Sequence, residues 1–357
     1  MSRKSEARRS VCAANNTLGG AKATKAFRNA EGRRFIAWCF ANGHPITSIG
    51  EMTAELASAY LKEVVIAPGS AGSTLSSASA QKPRRANSVA TQQNKLSVLR
   101  RCMSALGKDP DALGITAKAL GLGTRSRNGT KLPIPDNLFW AAVHKAEALD
   151  MPGMALALKL ERFLGLRCLE AMMSTRVLAE YYQEARERQQ GPEIPEMRIL
   201  DGTKGGRPRV IRAVERFSEQ AVQAIHDAVV YAAGHGNYII TSDKPGLKSA
   251  RSLYHRMARQ VGLVGTYAPH SLRYAYAVDK ITEMAAAGFS RKEALEATAA
   301  LLGHGASRAR YITMVYGRSV VHTLPKTPRK KSSLLKLAAD LEKLAGPPDG
   351  AQVDGGE

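Results

Sequence analysis

The sequence predicts a mainly α-helical protein with a small antiparallel β-sheet, an α+β fold class. Most long segments place apolar residues three or four positions apart, the spacing that puts them on one face of a helix. The strand-like runs are few and short, and two of them flank the pair Gly205-Gly206, as expected for a hairpin. Strands and helices do not alternate regularly, so a parallel α/β sheet is not expected. With 357 residues, the chain is long enough for two domains.

The N-terminal part predicts a small helical domain behind a flexible arm. Residues 1–21 are polar, basic and rich in small side chains, so we expect a poorly ordered arm there. An apolar band over residues 27–40 predicts a helix, and Thr53 is placed to cap another. A third apolar stripe, over residues 88–106, leaves basic side chains on its other faces. We therefore expect a helical domain over residues 22–108.

A change in composition marks the expected domain boundary. Residues 109–132 contain many glycines and prolines with basic residues between them, which is typical of a linker. A second domain is expected over residues 133–323, and it begins with a helix at Pro135. Residues 324–357 carry leucines at helical spacing and then a Gly, Pro and Asp tail, which predicts an amphipathic helix and a disordered end. Docking of this helix in cis, or on a neighbouring protomer in trans, stays open.

Within the second domain, the pattern predicts helices joined by short strands. The runs at residues 197–200 and 209–214 form the expected hairpin. A long helix is expected from about Ser218 to Ala233, and residues 237–242 predict another short strand. A further helix is expected over residues 252–263.

The charge balance predicts a polyanionic partner. The formal net charge is +21, with +14 in residues 1–132 and +7 in the remainder. A basic excess of this size favours nucleic acid, because each neutralised phosphate releases counterions and adds affinity. Because both halves are basic, we expect both to contact the polyanion.

The cysteines and the hydropathy exclude other classes of protein. Cys12, Cys39, Cys102 and Cys168 are scattered, without a C-x-x-C pair or a histidine at ligand spacing. A zinc site or a disulfide framework is therefore not expected, and a reducing compartment fits. No apolar run reaches the roughly 20 residues that cross a bilayer, and the start of the chain lacks a signal-peptide pattern. We expect a cytoplasmic protein that does not enter a membrane.

Several short motifs combine cationic and imidazole side chains. In His270-Ser-Leu-Arg273 the two functional residues lie three positions apart, so on a helix they would share a face and could hold one small anion. The motif Leu302-Gly303-His304 follows, with tyrosines after it. Upstream, Arg167 is followed at the third position by Glu170, which is placed to orient or neutralise it. This set predicts an anion-binding site.

A phosphodiester is the anion that this set of side chains suits. The planar fork of arginine binds two phosphate oxygens and keeps its charge, and the transition state of phosphoryl transfer needs fixed cations. Lys204 stands at the tip of the predicted hairpin, where glycines allow a ligand to approach the backbone. Taken singly, each residue is more often an ion pair, a phosphate contact or a buried histidine. Their combination indicates phosphoryl transfer.

The motifs resemble the signature of the tyrosine recombinases, also called the phage integrase family: G-L-R-x-x-E, a lysine in a T-K-G-G turn, H-x-x-R, L-G-H and a later tyrosine. The resemblance covers about residues 133–320, is generic over residues 22–107, and points to integrases of proteobacterial prophages and integrative elements. It implies a SAM-like helical core-binding domain and a catalytic domain that close around a duplex. The gap from His270 to His304 is longer than is common in the family, and residues 285–297 would supply an extra helix there.

The resemblance also implies a role for each motif residue. Arg167 and Arg273 would bind the scissile phosphate, and Lys204 would protonate the departing 5′ oxygen as general acid. His270 would accept or shuttle the proton of the nucleophile, which histidine can do near neutral pH. His304 would donate a hydrogen bond to a phosphate oxygen.

The nucleophile is expected to be a tyrosine, because phenol attack on phosphorus leaves a covalent phosphotyrosine that stores the bond energy. In the family it usually falls nine positions after the L-G-H histidine, where this chain has Thr313. Tyr311 lies seven positions after His304, and Tyr316 lies twelve after it. We choose Tyr316, because residues 313–316 match a T-x-x-Y pattern with an aliphatic residue before the tyrosine, and Tyr311 stays the alternative.

The predicted function is therefore site-specific DNA recombination, as carried out by the integrases of mobile genetic elements. A homotetramer would pair two double-stranded DNA sites and exchange strands through a 3′-phosphotyrosine and a Holliday junction, without metal, ATP or another cofactor. Accessory DNA-bending or directionality proteins are potential partners, and the bacterial nucleoid is the expected location. Two alternatives stay open: a non-catalytic DNA-binding protein with the same fold, and a DNA-relaxing enzyme like the type IB topoisomerases.

Overall fold

The structure is a computed structural model that divides into two compact units, Met1–Ser126 and Arg127–Glu357. The described residues are mainly helical and contain a two-stranded antiparallel sheet, which confirms the predicted α+β fold class. The residues that the structure describes are 2–66, 87–126, 128–187, 197–203, 208–242, 246–305 and 308–324.

The first unit is a bundle of helices around one apolar core. Several helices begin at a polar N-cap residue. Thr53, the predicted cap, accepts a hydrogen bond from the backbone N–H of Leu56. The described part of the unit also contains a 3₁₀ turn at Ile49–Glu51 and a π-helical segment at Leu61–Ile66. The α-helices are α1 (Arg3–Leu18), α2 (Lys22–Ala41), α3 (Ala54–Tyr60) and α4 (Val89–Ala105).

Helix α1 lies where a flexible arm was expected over residues 1–21, and that expectation was wrong. Ala7, Val11 and Ala14 are fully buried, and α1 packs on α2 and α4. Its buried stripe consists of small side chains among basic ones, so the stripe is weak in hydropathy. Small side chains nevertheless let helices approach closely, and the close approach buries enough surface to hold α1 in the bundle.

The contact between α1 and α2 at Gly32 provides a test of this packing. A Cβ atom at Gly32 would lie 2.6 Å from Cγ1 of Val11. Replacing a helical glycine by alanine normally stabilises a helix by up to about 1 kcal/mol. Here we expect Gly32→Ala to lower the free energy of unfolding by about 1–3 kcal/mol through overpacking. In thermal unfolding, Val11→Ala should recover much of this loss when combined with Gly32→Ala, whereas a more stable Gly32→Ala protein would contradict the packing.

Residues 109–126 pack in the first unit and are not a free linker. Ile115 is fully buried and Leu122 nearly so, both in the apolar core of this unit. The division into two units falls inside residues 109–132, the segment predicted as the linker. Glycines with positive φ, such as Gly114 at +67°, turn the backbone repeatedly here, so the few apolar residues show no helical or strand period.

The second unit is a larger helical bundle with one hairpin. Its described elements are α5 (Asp136–Ala148), α6 (Pro152–Leu164), α7 (Cys168–Met173), α8 (Thr175–Glu187), β1 (Met197–Ile199), β2 (Arg209–Ile211), α9 (Ser218–Ala233), α10 (Leu247–Gln260), α11 (His270–Ala286), α12 (Arg291–Leu301) and α13 (Ala309–Val315). Helix α6 is almost entirely buried and packs on α5, α9 and α11. It is the central helix of the unit, and its C-terminal end leads into the first arginine motif.

The two strands of the predicted hairpin are confirmed. Strand β1 pairs antiparallel with β2, with Met197 opposite Ile211 and Ile199 opposite Arg209. The strand predicted at residues 237–242 is absent from the described residues. Ile239 is buried there, but its carbonyl lies against Gly153 of α6, only 1.9 Å from the position that a Cβ would take. The apolar residues of this segment therefore fill the core beside a helix.

A buried cation fixes α6 against two neighbouring helices. The side chain of Arg162 is 1% exposed, and its guanidinium lies 2.9 Å from Asp136 and 2.7 Å from Asp279. Phe217 packs beneath it, with the ring centre 4.9 Å from the guanidinium carbon. Because these partners lie on α5, on α11 and just before α9, the cluster holds α6 against α11, the helix that carries His270 and Arg273.

The end of the chain is described only as far as residue 324. Leu324 is buried against the second unit. The amphipathic helix and tail predicted over residues 324–357 otherwise lie outside the described residues. In the described part of the chain, no helix has the length and apolar character needed to cross a membrane.

Candidate active site

The motif residues meet at the C-terminal end of α6. Gly165 ends this helix with φ +63°, and a Cβ there would lie 2.4 Å from the ring of Tyr276. This glycine turns the chain sharply, and Arg167 follows as the N-cap residue of α7. Arg273 approaches from the first turns of α11, and the carbonyl of Leu302 approaches from the end of α12.

Glu170 is the anionic centre of the site. Its side chain is fully buried and contacts three arginines, Arg167, Arg209 and Arg273. Burial alone would raise the pKa of Glu170, but the charges of the three guanidinium groups, with hydrogen bonds from Arg209, lower it to about 2. Its carboxylate also accepts a hydrogen bond from the backbone N–H of Arg167, at 2.7 Å. The predicted pairing of Glu170 with Arg167 is therefore present in the structure.

Arg167 and Arg273 converge on one carbonyl. Both donate to the oxygen of Leu302, Arg167 at 3.1 Å, and Arg273 also donates to the carbonyl of Gly165. The side chain of Arg167 is 22% exposed, whereas that of Arg273 is 1% exposed. Burial and the neighbouring guanidinium groups lower the pKa of Arg273 to about 10, which leaves it charged at neutral pH. The site thus has one guanidinium at its surface and another beneath it.

The positive charge of the site exceeds its negative charge. Three guanidinium groups contact the single carboxylate of Glu170. Glu161, on α6, is buried and accepts a hydrogen bond from Tyr254. Burial, together with the charge of Glu170, raises the pKa of Glu161 to about 8, so it holds its proton at neutral pH and adds no negative charge. An anion entering the site would meet uncompensated arginine charge.

Tyr316 lies beside His270. The Tyr316 hydroxyl is 3.3 Å from Nε2 of His270, and the phenol ring packs 4.6 Å from the ring of Tyr274. Tyr316 is the C-cap residue of α13 and is 3% exposed. The contact with His270 places this phenol next to a group that can exchange its proton.

Tyr311 occupies the same helix but faces a different partner. Its ring lies 4.9 Å from the ring of His304, which is itself 6.1 Å from the ring of Tyr316. Burial, and then the neighbouring Tyr316, raise the pKa of Tyr311. Both late tyrosines therefore lie in the site, and the imidazole of His304 packs against both of them.

His270 is neutral over an unusually wide pH range. His270 is an exposed residue, but the surrounding protein still partly desolvates its imidazole. This desolvation, followed by the positive charges of Arg273, Arg167 and Lys131, lowers the pKa of His270 to about 4. At neutral pH its ring can therefore accept a proton.

We expect this shift to be visible in a titration. The imidazole resonances of His270 should titrate well below the ordinary histidine pKa of 6.5, near 4, in NMR spectra of the whole chain. Sulfate bound beside Arg167 and Arg273 should move the midpoint upward, because an anion offsets the charges that disfavour the imidazolium. His226, on α9, provides a reference histidine outside the site. A midpoint at 6.5 that does not respond to sulfate would contradict this electrostatic arrangement.

The predicted lysine cannot be placed. Lys204 lies within residues 204–207, outside the part of the chain that the structure describes. Residue 203, which precedes this segment, and strand β2, which follows it, are described. Its catalytic role stays a prediction that rests on the sequence motif.

Two contributions to the site were missed by the sequence analysis. Arg209 was not singled out from the sequence, yet it is 3% exposed and inserted beside Glu170. A basic residue within a buried strand pattern was the available signal. The second contribution is the backbone near Gly129, whose N–H donates to the carbonyl of Met314 at 3.1 Å. A Cβ at Gly129 would lie 2.3 Å from the carbonyl of Val315, so this segment passes directly against α13.

Among the described residues, no group of three or more histidine, cysteine, aspartate or glutamate side chains could hold a metal ion. All four cysteines are free thiols in the structure, and Cys39 and Cys102 are buried in the first unit. Burial raises the pKa of Cys39 to about 12, so this thiol is not a reactive thiolate.

Known protein families and solved structures include matches to this chain. Residues 121–279 match a family model described as Integrase. The crystal structure of XerA recombinase also matches, with a TM-score of 0.33 and 12% sequence identity, over 88% of this chain and 97% of that chain. At that TM-score, the structural likeness adds no support of its own. No curated protein matches the sequence significantly.

Proposed function

We propose that this chain, which matches an integrase family model over residues 121–279, is a tyrosine recombinase that cuts and rejoins DNA strands at defined sites through a covalent 3′-phosphotyrosine intermediate and a Holliday junction. The observation that carries this proposal is the contact of 3.3 Å between the hydroxyl of Tyr316 and Nε2 of His270. This contact places a phenol against a neutral imidazole, and the charges of Arg273 and Arg167 act on that imidazole. A phosphodiester is the substrate that needs all three.

In the proposed first step, the scissile phosphate binds against Arg167 and Arg273. The oxygen of Tyr316 attacks phosphorus while its proton passes to Nε2 of His270. The bond from phosphorus to the 5′ oxygen breaks, and the departing oxygen takes a proton from Lys204. The product is a 3′-phosphotyrosine and a free 5′-hydroxyl, and no bond energy is lost to water.

The second step reverses the first on a different strand. A 5′-hydroxyl from the partner duplex attacks the phosphotyrosine and releases its proton to Lys204. The bond from phosphorus to the phenol oxygen breaks, and the proton held by His270 returns to Tyr316. Over the two steps, one phosphodiester of a 5′ alcohol replaces another of similar energy, so the exchange requires no ATP.

The arginine cluster is proposed to stabilise the transition state electrostatically. Charge accumulates on the non-bridging oxygens during attack, and guanidinium groups that are already in place need little rearrangement to stabilise it. Arg273 is held by two carbonyls, and Arg167 by a carbonyl and a carboxylate. The imidazole of His304 is proposed to donate to a phosphate oxygen. In this scheme, the side chains supply the positive charge of the reaction.

DNA contacts outside the site are supported by α10. This helix contains no aspartate or glutamate, and Arg251, Arg256 and Arg259 lie on its exposed side. Such a face can contact phosphates or lie in a groove. Each protomer would cut one strand, so exchange between two duplexes needs four protomers on paired sites. The homotetramer and any accessory DNA-bending protein belong to this proposal.

Covalent trapping of DNA tests the proposal directly. The full chain is incubated with nicked duplex oligonucleotides of randomised sequence, in which the short strand released by cleavage diffuses away and traps the intermediate. DNA that stays attached after denaturation is recovered and sequenced. We expect attachment through a tyrosine to the 3′ end of a defined sequence. Attachment without sequence preference would favour a DNA-relaxing enzyme, and binding without attachment would leave only a DNA-binding protein.

A further inference from the structure

Arg209 is a third arginine of the site, and each nitrogen of its guanidinium donates to Glu170 or to a backbone carbonyl. Its side chain is 2% exposed. Nε donates to Oε1 of Glu170 at 3.2 Å, and Nη2 donates to Oε2 at 2.6 Å. Nη2 also donates to the carbonyl of Gly165 at 3.0 Å, and Nη1 donates to that of Leu301. A side chain with these partners has no free edge to offer to a phosphate.

The contact between Arg209 and Glu170 determines how much of the positive charge of Arg273 the carboxylate neutralises. Arg209 holds Oε2 of Glu170 at 2.6 Å, whereas the nearest nitrogen of Arg273 is 3.9 Å from the same oxygen. The guanidinium of Arg273 donates instead to two carbonyls, which carry only partial charges. Arg209 therefore neutralises much of the negative charge of Glu170. The positive charge of Arg273 is then only partly neutralised, beside the proposed position of the phosphate.

Arg209 also supports the turn that carries His304. It donates to the carbonyl of Leu301. The next carbonyl along the chain, that of Leu302, accepts from both Arg167 and Arg273. A cation at the C-terminal end of a helix is favourable, because the unpaired carbonyls there carry partial negative charge. Gly303 follows with φ +66°, and a Cβ there would lie 2.8 Å from Cδ of Arg209. The stem of Arg209 thus fills the space directly beneath this turn.

We propose that Arg209 is a positioning residue of the strand-transfer site. It orients Glu170 and the end of α12, so that the charges of Arg167 and Arg273 remain available to the phosphate and His304 reaches it. This inference rests on the proposed function. It assigns Arg209 an effect on the chemical step through Glu170, without contact to DNA.

The test separates binding from chemistry on a DNA sequence selected by covalent trapping. The rate of covalent complex formation at saturating DNA and the DNA concentration at half-saturation are measured for Arg209→Met and for Arg209→Lys. We expect Arg209→Met to lower the saturated rate on the order of 100-fold, as misplaced catalytic groups do, with little change in half-saturation. Arg176→Met is the control, since the side chain of Arg176 is 84% exposed and pairs with Glu180 on the same helix.

Arg209→Lys keeps the charge but loses the planar fork, so it distinguishes orientation from charge. We expect it to fold, as judged by circular dichroism, and to remain at least tenfold slow, because one ammonium cannot hold both oxygens of Glu170. If Arg209→Met does not fold, this variant decides. A saturated rate equal to wild type in a folded Arg209 variant would overturn the proposal, and so would a change confined to half-saturation.

The route through Glu170 is tested by combining substitutions. If Arg209 acts by orienting Glu170, then Arg209→Met should slow the reaction much less in a Glu170→Gln background than in wild type. Equal factors in the two backgrounds would show that Arg209 acts independently, and would overturn the proposal. Failure of the wild-type protein to trap any DNA would instead refute the proposed function, so the two failures are distinguishable.

Discussion

Substitution of Tyr316 by phenylalanine is expected to abolish covalent attachment to DNA while DNA binding persists. Phenylalanine keeps the packing against Tyr274, at a ring distance of 4.6 Å, but removes the hydroxyl that lies 3.3 Å from His270. Loss of a covalent nucleophile lowers the rate by a factor on the order of 10⁴ or more. The measurement is the yield of denaturant-resistant protein–DNA complex on a nicked duplex, together with binding by gel mobility shift.

Tyr311→Phe is the matched control for this substitution. It removes a phenol from the same helix, and its ring packs on His304 at 4.9 Å. We expect this variant to retain attachment, since the proposed proton acceptor His270 contacts Tyr316. The reverse outcome, attachment by Tyr316→Phe and none by Tyr311→Phe, would transfer the nucleophilic role to Tyr311. Attachment by both single variants would require another nucleophile.

The parts of the site that could be predicted are those encoded over short distances. Arg167 and Glu170 lie three positions apart, as do His270 and Arg273, so a helical or capping turn brings each pair together whatever the rest of the chain does. The extra helix α12 was predictable for the same reason, because Ser290 caps it locally. Most of the candidate site could therefore be predicted from the spacing of residues that are close in the sequence.

The parts that could not be predicted depend on contacts between distant segments. Arg209 is 39 residues from Glu170 and 92 from Leu301 along the chain, so its place beneath α12 follows only from the packed fold. Its strand pattern could equally have left the side chain facing solvent. Helix α1 was missed because burial of Ala7 and Ala14 depends on a close partner helix, which a hydropathy pattern does not contain. In both cases the tertiary partner determines the outcome.

Loss of Glu170 is expected to destabilise the second unit strongly. Glu170→Ala would leave Arg167, Arg209 and Arg273 without their shared carboxylate, two of them nearly inaccessible to water. Breaking a buried ion pair from one side typically costs about 3–5 kcal/mol, because an uncompensated charge remains. We expect a corresponding loss of unfolding free energy, partly recovered by added sulfate, which can take the place of the carboxylate charge. Glu180→Ala, at an exposed pair with Arg176, should cost less than about 1 kcal/mol.

The pH dependence of the unfolding free energy is an independent measure of the interaction between Glu170 and the three arginines. The pKa of Glu170 is lowered from 4.5 to about 2 in the folded chain, so the unfolded chain binds the proton more readily. Stability from this group is therefore complete above about pH 5 and is lost as pH falls toward 2, by roughly 3 kcal/mol in all. We expect Glu170→Ala to flatten the stability profile of the second unit in this window. An unchanged acid profile would show that the three arginines do not hold this carboxylate in its ionised form.

The two units must be followed separately for this measurement, and the sequence allows it. The chain contains two tryptophans, Trp38 in the first unit and Trp140 in the second. In a Trp38→Phe background, fluorescence reports on the second unit alone, and in a Trp140→Phe background on the first. Glu170→Ala should shift the unfolding transition reported by Trp140, in the second unit. Gly32→Ala should shift the transition reported by Trp38, in the first unit. If Glu170→Ala moved both transitions equally, the loss could not be assigned to the arginine cluster, because a local charge imbalance in one unit predicts a local response.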